Sequence, residues 1–161
     1  MARWGLIPDI DFNAADVGVS ELLNDRDGSG GRKTRKFDFA LPYKTPGWNP
    51  RILIQCQFYA GDSGSVSHKN VDQTPTGRNA ASEAFTKAGY PVPYFIEYVD
   101  GAGYFASLNG DLRHLLEIED TKSFTQIRSA PIRLRRELQE IGYLTGLEVD
   151  QALLQVNSKK K

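Results

Sequence analysis

The chain has 161 residues, with 20 basic and 20 acidic side chains in balance, 40% apolar residues and 25% charged ones. That length and composition predict one globular domain with a sizeable core, and they exclude a disordered or low-complexity chain. The zero net charge excludes a global field that gathers polyanions, so a nucleic-acid partner would have to be met by a local basic patch.

In chain order, residues 1–13 read as an irregular N-terminal segment holding Trp4 and Pro8. Asn13 is placed to cap a helix from Ala14 to about Asn24, with Val17 and Leu22 turned inward and Glu21 near its C-terminal end. Asp27-Gly28-Ser29-Gly30-Gly31 is a flexible loop that leads into the basic run Arg32-Lys33-Thr34-Arg35-Lys36. Lys36 to Leu41 is predicted as a strand. Pro42 to Pro50 is a turn-rich connector whose Trp48 is either exposed or latched to the body.

Arg51 to Tyr59 is predicted as the central strand on its Ile, Leu and Phe content. A side-chain period of two sends Leu53, Gln55 and Gln57 one way and Ile52, Ile54, Cys56 and Phe58 the other. Two amides in succession on one face have no packing reason, and they call for a site or a wet surface. Cys56 is the single cysteine, which excludes an intrachain disulfide and a CxxC zinc site and suits a reducing compartment. No apolar run is long enough for a membrane span, and the N-terminus lacks the apolar core of a signal peptide, so a cytoplasmic, soluble protein without a membrane partner is expected.

Ala60 to Ser65 reads as a loop. Ser65 or Ser67 would cap a helix within Val66–Gln73, Pro75 and Gly77 interrupt it, and Asn79 to Ala88 is helical again. Tyr94 to Val99 is a third strand, Tyr104 to Ala106 begins a short segment, and Asp111 opens a helix to about Glu117. Ser129-Ala130-Pro131 opens another to about Ile141, with proline in its first turn. Leu147 to Val156 suggests a last short helix before a basic tail over residues 157–161. The expected fold is mixed α/β, a small central mixed β-sheet flanked by helices.

An aspartate in one short apolar strand and two amides on its neighbour suit oxygen coordination of a hard cation, as metal-dependent phosphodiester cleavage requires. The competing reading pairs Asp38 with Arg35 or Lys36 and leaves the glutamines on an edge strand. Gly61-Asp62-Ser63-Gly64-Ser65 is similar to the nucleophile loop of trypsin-like serine proteases, but His68 and His114 both lie downstream of the serine and the strand pattern is not all-β. Gly101-Ala102-Gly103 is too short for a dinucleotide fingerprint.

Phe37-Asp38-Phe39, then Ile54-Gln55-Cys56-Gln57-Phe58-Tyr59, then Gly64-Ser65 and Lys69, resembles the PD-(D/E)xK nuclease superfamily. More narrowly, the run resembles the catalytic core of type II restriction endonucleases, over roughly Asp16 to Leu116. The resemblance implies a restriction endonuclease-like fold and Mg2+-dependent hydrolysis of double-stranded DNA, with Mn2+ as a substitute. It implies a prokaryotic-type cytoplasmic enzyme working as a homodimer. Asp38 matches the first acid and principal metal ligand, Gln55 the second acid, and Gln57 the usual lysine position, where it would orient water. The Cys56 carbonyl would be a further metal ligand, and Glu21 matches the supporting helix glutamate. Arg32, Lys33, Arg35 and Lys36, with Ser65, Ser67, His68 and Lys69, are the expected phosphate contacts. Arg133, Arg135 and Arg136 form a further basic group.

Gln55 departs from the pattern, because an amide oxygen is a neutral, weaker ligand that cannot help neutralise Mg2+. Three explanations stand: a glutamate replaced so as to trap substrate, a degenerate non-cutting relative, or an acid supplied elsewhere by Glu21 or Asp62. The alternative from another class is a non-catalytic DNA-binding or assembly module that keeps the nuclease fold.

Overall fold

The computed structural model describes residues 1, 4–23, 36–58, 65–101, 111–117, 121–125 and 129–144. Among them the elements are β1 (Val17–Gly18), α1 (Val19–Leu22), β2 (Lys36–Phe37), β3 (Phe39–Leu41), β4 (Ile52–Phe58), α2 (Ser65–Lys87), β5 (Tyr94–Asp100), α3 (Asp111–Leu116), β6 (Thr121–Thr125) and α4 (Ala130–Glu140). The fold is mixed α/β, as expected. Four strands form the main sheet in the order β3-β4-β5-β6, while β1 and β2 pair separately. β3 runs antiparallel to β4, and β4, β5 and β6 run parallel. The parallel step from β4 to β5 is made by α2, because parallel neighbours need a long crossover.

The two-residue alternation in β4 sorts its side chains between two cores. Ile52 and Ile54 join Leu41, Ile96, Leu134 and Leu138 under α4, with Cys56 and Tyr98 packed against that cluster. Leu53 joins Ala40, Phe95, Ala81 and Phe85 under α2. On α2 the positions Thr74, Arg78, Ala81 and Phe85 are all buried, and their four-three-four spacing is one helical stripe. Ala81 and Phe85 meet the apolar halves of the strands. Thr74 and Arg78 meet the half that carries Gln57 and Glu97.

Several elements depart from the sequence expectation. The helix from Ala14 to about Asn24 is replaced by the short strand β1 and a four-residue α1. Asn13 is not its cap, because its side chain is engaged elsewhere. The strand expected over Lys36–Leu41 is two strands in two sheets, broken by a bend at Asp38. Pro75 and Gly77 do not interrupt the helix: α2 is continuous, with Pro75 inside it. A proline there removes one backbone donor, but the buried stripe on either side still holds the helix to the sheet. β6 was not expected, and its Thr-Lys-Ser-Phe-Thr sequence pairs in parallel with β5. β5, α3 and α4 fall within a residue or so of expectation.

Both α2 and α4 end on a glycine with positive φ. Gly89, at φ 77°, donates to Thr86, and Tyr90 donates back to Phe85; Gly142, also at φ 77°, donates to Gln139, and Tyr143 donates back to Leu138. The shared pattern satisfies the last carbonyls of each helix and turns the chain back toward the sheet. Trp48 is both exposed, at 37%, and latched: it packs edge-on against Tyr143 with ring centroids 5.1 Å apart. The expected elements at Tyr104–Ala106 and Leu147–Val156, and the tail at 157–161, lie outside the described residues. No helix among the described residues is long and apolar enough to cross a membrane.

Candidate functional site

Asp38 occupies the bend between β2 and β3. Its Oδ2 accepts the backbone N–H of Cys56 at 2.7 Å, so the carboxylate takes the place of a strand partner at the β3 edge of β4. The bend is bracketed by Asn13, which is buried. Asn13 Nδ2 donates to the Asp38 carbonyl at 2.8 Å and to the Ala15 carbonyl at 2.6 Å, and its Oδ1 accepts the Ala40 N–H at 2.7 Å.

The β3–β4 register pairs Phe39 with Ile54, and one further step sets Asp38 opposite Gln55. On the other side of β4, Gln55 pairs with Glu97 of β5. In-register neighbours in a sheet share a face. Gln55 and Glu97 therefore share the α2 face of adjacent strands, and Asp38, at the bend before β3, extends the row at the sheet's edge with its carboxylate turned along the sheet to the Cys56 N–H.

Glu97 was not anticipated. It is buried, 1% exposed, at the centre of a strand whose other residues up to the terminal Asp100 are apolar or aromatic. Arg78 Nη2 donates to its Oε1 at 2.6 Å, and Gln57 Nε2 donates to its Oε2 at 2.9 Å. Gln57 Nε2 also lies 3.3 Å from Thr74 Oγ1. The Arg78 guanidinium stands 5.5 Å from the centroid of the Phe95 ring. Gln57, 5% exposed, is thus turned into the α2 interface toward Glu97 and Thr74 rather than toward solvent. The signal for Glu97 is a lone acid inside a buried strand, which needs a partner to be tolerated.

Cys56 reports the charge of this region. Burial pushes its thiol up to about 12, helped by the negative charges of Asp38, Glu97 and Asp16. Three carboxylates consequently act on one point of β4. Asp16, which was not anticipated, is one of them. Glu21 is exposed on α1, and its Oε1 accepts the Tyr43 hydroxyl at 2.9 Å. Burial and then Glu21 raise the Tyr43 phenol.

Of the expected phosphate contacts, Lys36 is exposed two residues before Asp38. Arg32, Lys33, Arg35 and Asp62 lie outside the described residues, as do the side chains of Ser65, Ser67, His68 and Lys69 at the start of α2. Arg133 and Arg136 are exposed on α4, Arg135 is half-buried, and His114 is exposed on α3.

Among the described residues, no three of His, Cys, Asp and Glu converge to hold a metal ion. Asp38 brings one carboxylate, Gln55 a neutral amide oxygen and Cys56 a backbone carbonyl, while the Glu97 carboxylate is already shared by Arg78 and Gln57. The donors are the hard oxygens that Mg2+ takes, but their charge is one carboxylate short.

Compared with protein-family models, with curated proteins and with solved structures, the chain finds no match in any of the three.

Proposed function

We propose that the chain carries the core of a Mg2+-dependent DNA endonuclease of the type II restriction kind, with Gln55 leaving its cation position one acid short. The row Asp38–Gln55–Glu97 carries this reading, because Gln55, paired with Glu97, stands beside a carboxylate held at a strand break.

Asp38, residue 55 and the Cys56 carbonyl would hold the cation. Bound Mg2+ supplies an activated water and neutralises charge on the phosphate. Asp38 is kept in place by the Cys56 amide, and Gln57 orients Glu97 behind the row. Exposed Lys36, two residues before the bend, would meet a phosphate of double-stranded DNA without reading sequence. A homodimer would present two such rows, one to each strand of the duplex.

A second reading is favoured by the buried network itself. The Glu97 carboxylate is already committed to Arg78 and Gln57 in a buried cluster, which suits a DNA-binding or assembly module that does not cut.

Plasmid cleavage in Mg2+ or Mn2+, by the parent chain and by Gln55→Glu side by side, separates the two. Cleavage by Gln55→Glu alone is expected. If both cut, another acid completes the site and the ligand assignment is wrong. If neither cuts while the protein still shifts DNA in a gel, the module reading takes over.

A further inference from the structure

We infer that Asn13 is the positioning residue for Asp38, holding the β2–β3 bend so that the aspartate reaches the Cys56 amide. As a role in the site, the inference rests on the reading above; as a statement about Asp38, it stands on the hydrogen bonds alone.

A strand that breaks at one residue leaves the backbone groups around the break without ladder partners, and buried groups of that kind must be satisfied. Asn13 does this on both sides of Asp38. Its amide N–H donates to the Asp38 carbonyl, and its amide oxygen accepts from Ala40, the second residue of β3. A third bond, to the Ala15 carbonyl, fixes the side chain to the segment leading into β1. Asparagine is the residue type this needs: a planar group with both a donor and an acceptor at one tip, whereas an acid lacks the donor and an apolar residue lacks both.

The consequence is directional. If residues 36–41 continued as one regular strand, the Asp38 backbone would join the ladder to β4, and its side chain would stand off the sheet rather than turn along it to the N–H of Cys56. With the bend held, the carboxylate accepts that N–H at 2.7 Å and stays at the level of Gln55. Asn13 is remote in sequence and buried at 2% exposure, and it reaches the site through the backbone of Asp38 and Ala40 on either side of the bend.

Amide hydrogen exchange on the full chain tests this without any catalytic readout. Asn13→Ala should speed exchange of the Cys56 amide by about tenfold, the size of the effect of losing one buried hydrogen bond. Exchange at Leu53 and Ile96, buried within β4 and β5, should stay within about twofold, since stability is local and need not fall everywhere at once. Asp38→Ala should speed the Cys56 amide to the same extent. Combining the two substitutions should add nothing further, because both remove one interaction.

Additive effects, or a Cys56 amide unchanged in Asn13→Ala, would overturn the inference. Should Asn13→Ala fail to fold, Asn13→Ser is measured instead. Failure of both to fold also overturns it, since Asn13 would then support the whole fold and not Asp38 in particular. In the Gln55→Glu background, Asn13→Ala should lower plasmid cleavage by a similar factor. If Gln55→Glu does not cut at all, the nuclease reading fails, and the exchange result still decides the role of Asn13.

Discussion

Arg78 Nη2 lies 2.6 Å from Glu97 Oε1, and both side chains are 2% exposed. A buried pair of this kind contributes little net stability against an apolar substitute, but losing one partner strands the other charge in the interior. Glu97→Gln or Arg78→Met should therefore each cost about 3–5 kcal/mol, and the double change Arg78→Met with Glu97→Leu should cost clearly less than their sum. Urea unfolding of the three variants at neutral pH checks it. A full sum in the double variant would mean that the two side chains act independently.

That pair also marks the limit of what could be read from the residues alone. The period-two pattern of Ile52–Phe58 was enough to divide β4 between two cores, and the odd face did turn out to carry the polar chemistry. Glu97 escaped notice because Tyr94–Asp100 reads as an apolar strand, and nothing local says that its one central acid has an arginine waiting on α2. α2 was split at Pro75 and Gly77 because those residues are breakers in isolation; the tertiary stripe of Thr74, Arg78, Ala81 and Phe85 overrides them. Asn13 was read as a helix cap because asparagine before a helical pattern is a frequent cap. Its actual partners, Asp38 and Ala40, are distant in sequence, and long-range partners of that kind leave no local trace.

The Cys56 thiol, pushed up to about 12, should be nearly inert in the folded chain without metal. At pH 8 only about one molecule in ten thousand would carry the thiolate that reacts with a disulfide reagent. Asp38→Asn removes the first-named of the three acids that act on the thiol while leaving burial in place. Its thiol should then ionise at lower pH, and labelling at fixed pH should quicken several-fold. Labelling rates measured against pH, with melting temperature as a control for opening, distinguish this from unfolding. An identical profile in both proteins would mean that burial accounts for the whole effect.

Asp11 sets an acid limb of stability. Burial alone would raise its carboxyl, but hydrogen bonds from the Tyr143 hydroxyl, the Ile7 N–H and the Thr45 hydroxyl outweigh that, and the group titrates below the ordinary 3.8. A carboxyl depressed in the folded state stabilises it at pH values above the unfolded value, and that contribution is lost as pH falls through the folded value. The loss should therefore fall below about pH 4. Tyr143→Phe removes the strongest of the three donors and should shrink the acid limb from above, lowering the neutral-pH melting point while the melting point at the acid end changes less. Melting temperatures across this range, for the parent chain and Tyr143→Phe, give the comparison; an unchanged acid limb would show that Asp11 is not its source.

Gln55→Glu should carry a cost that a divalent cation repays. In the parallel register the new carboxylate would stand beside Glu97, about 5 Å away by strand spacing, and Arg78 can neutralise only one of them. At a half-buried position, screened by water on one side, the repulsion should lower stability by about 1 kcal/mol in chelator. The same substitution brings a second carboxylate to the row that already holds Asp38, so Mg2+ should bind the folded chain and not the unfolded one, and raise its melting temperature. The parent chain, with neutral Gln55, should shift much less. Thermal melts of both proteins, with chelator and then with Mg2+ in excess, read the two effects together. A variant that loses stability and does not recover it with Mg2+ would place position 55 outside any cation site, and the endonuclease reading would fall with it.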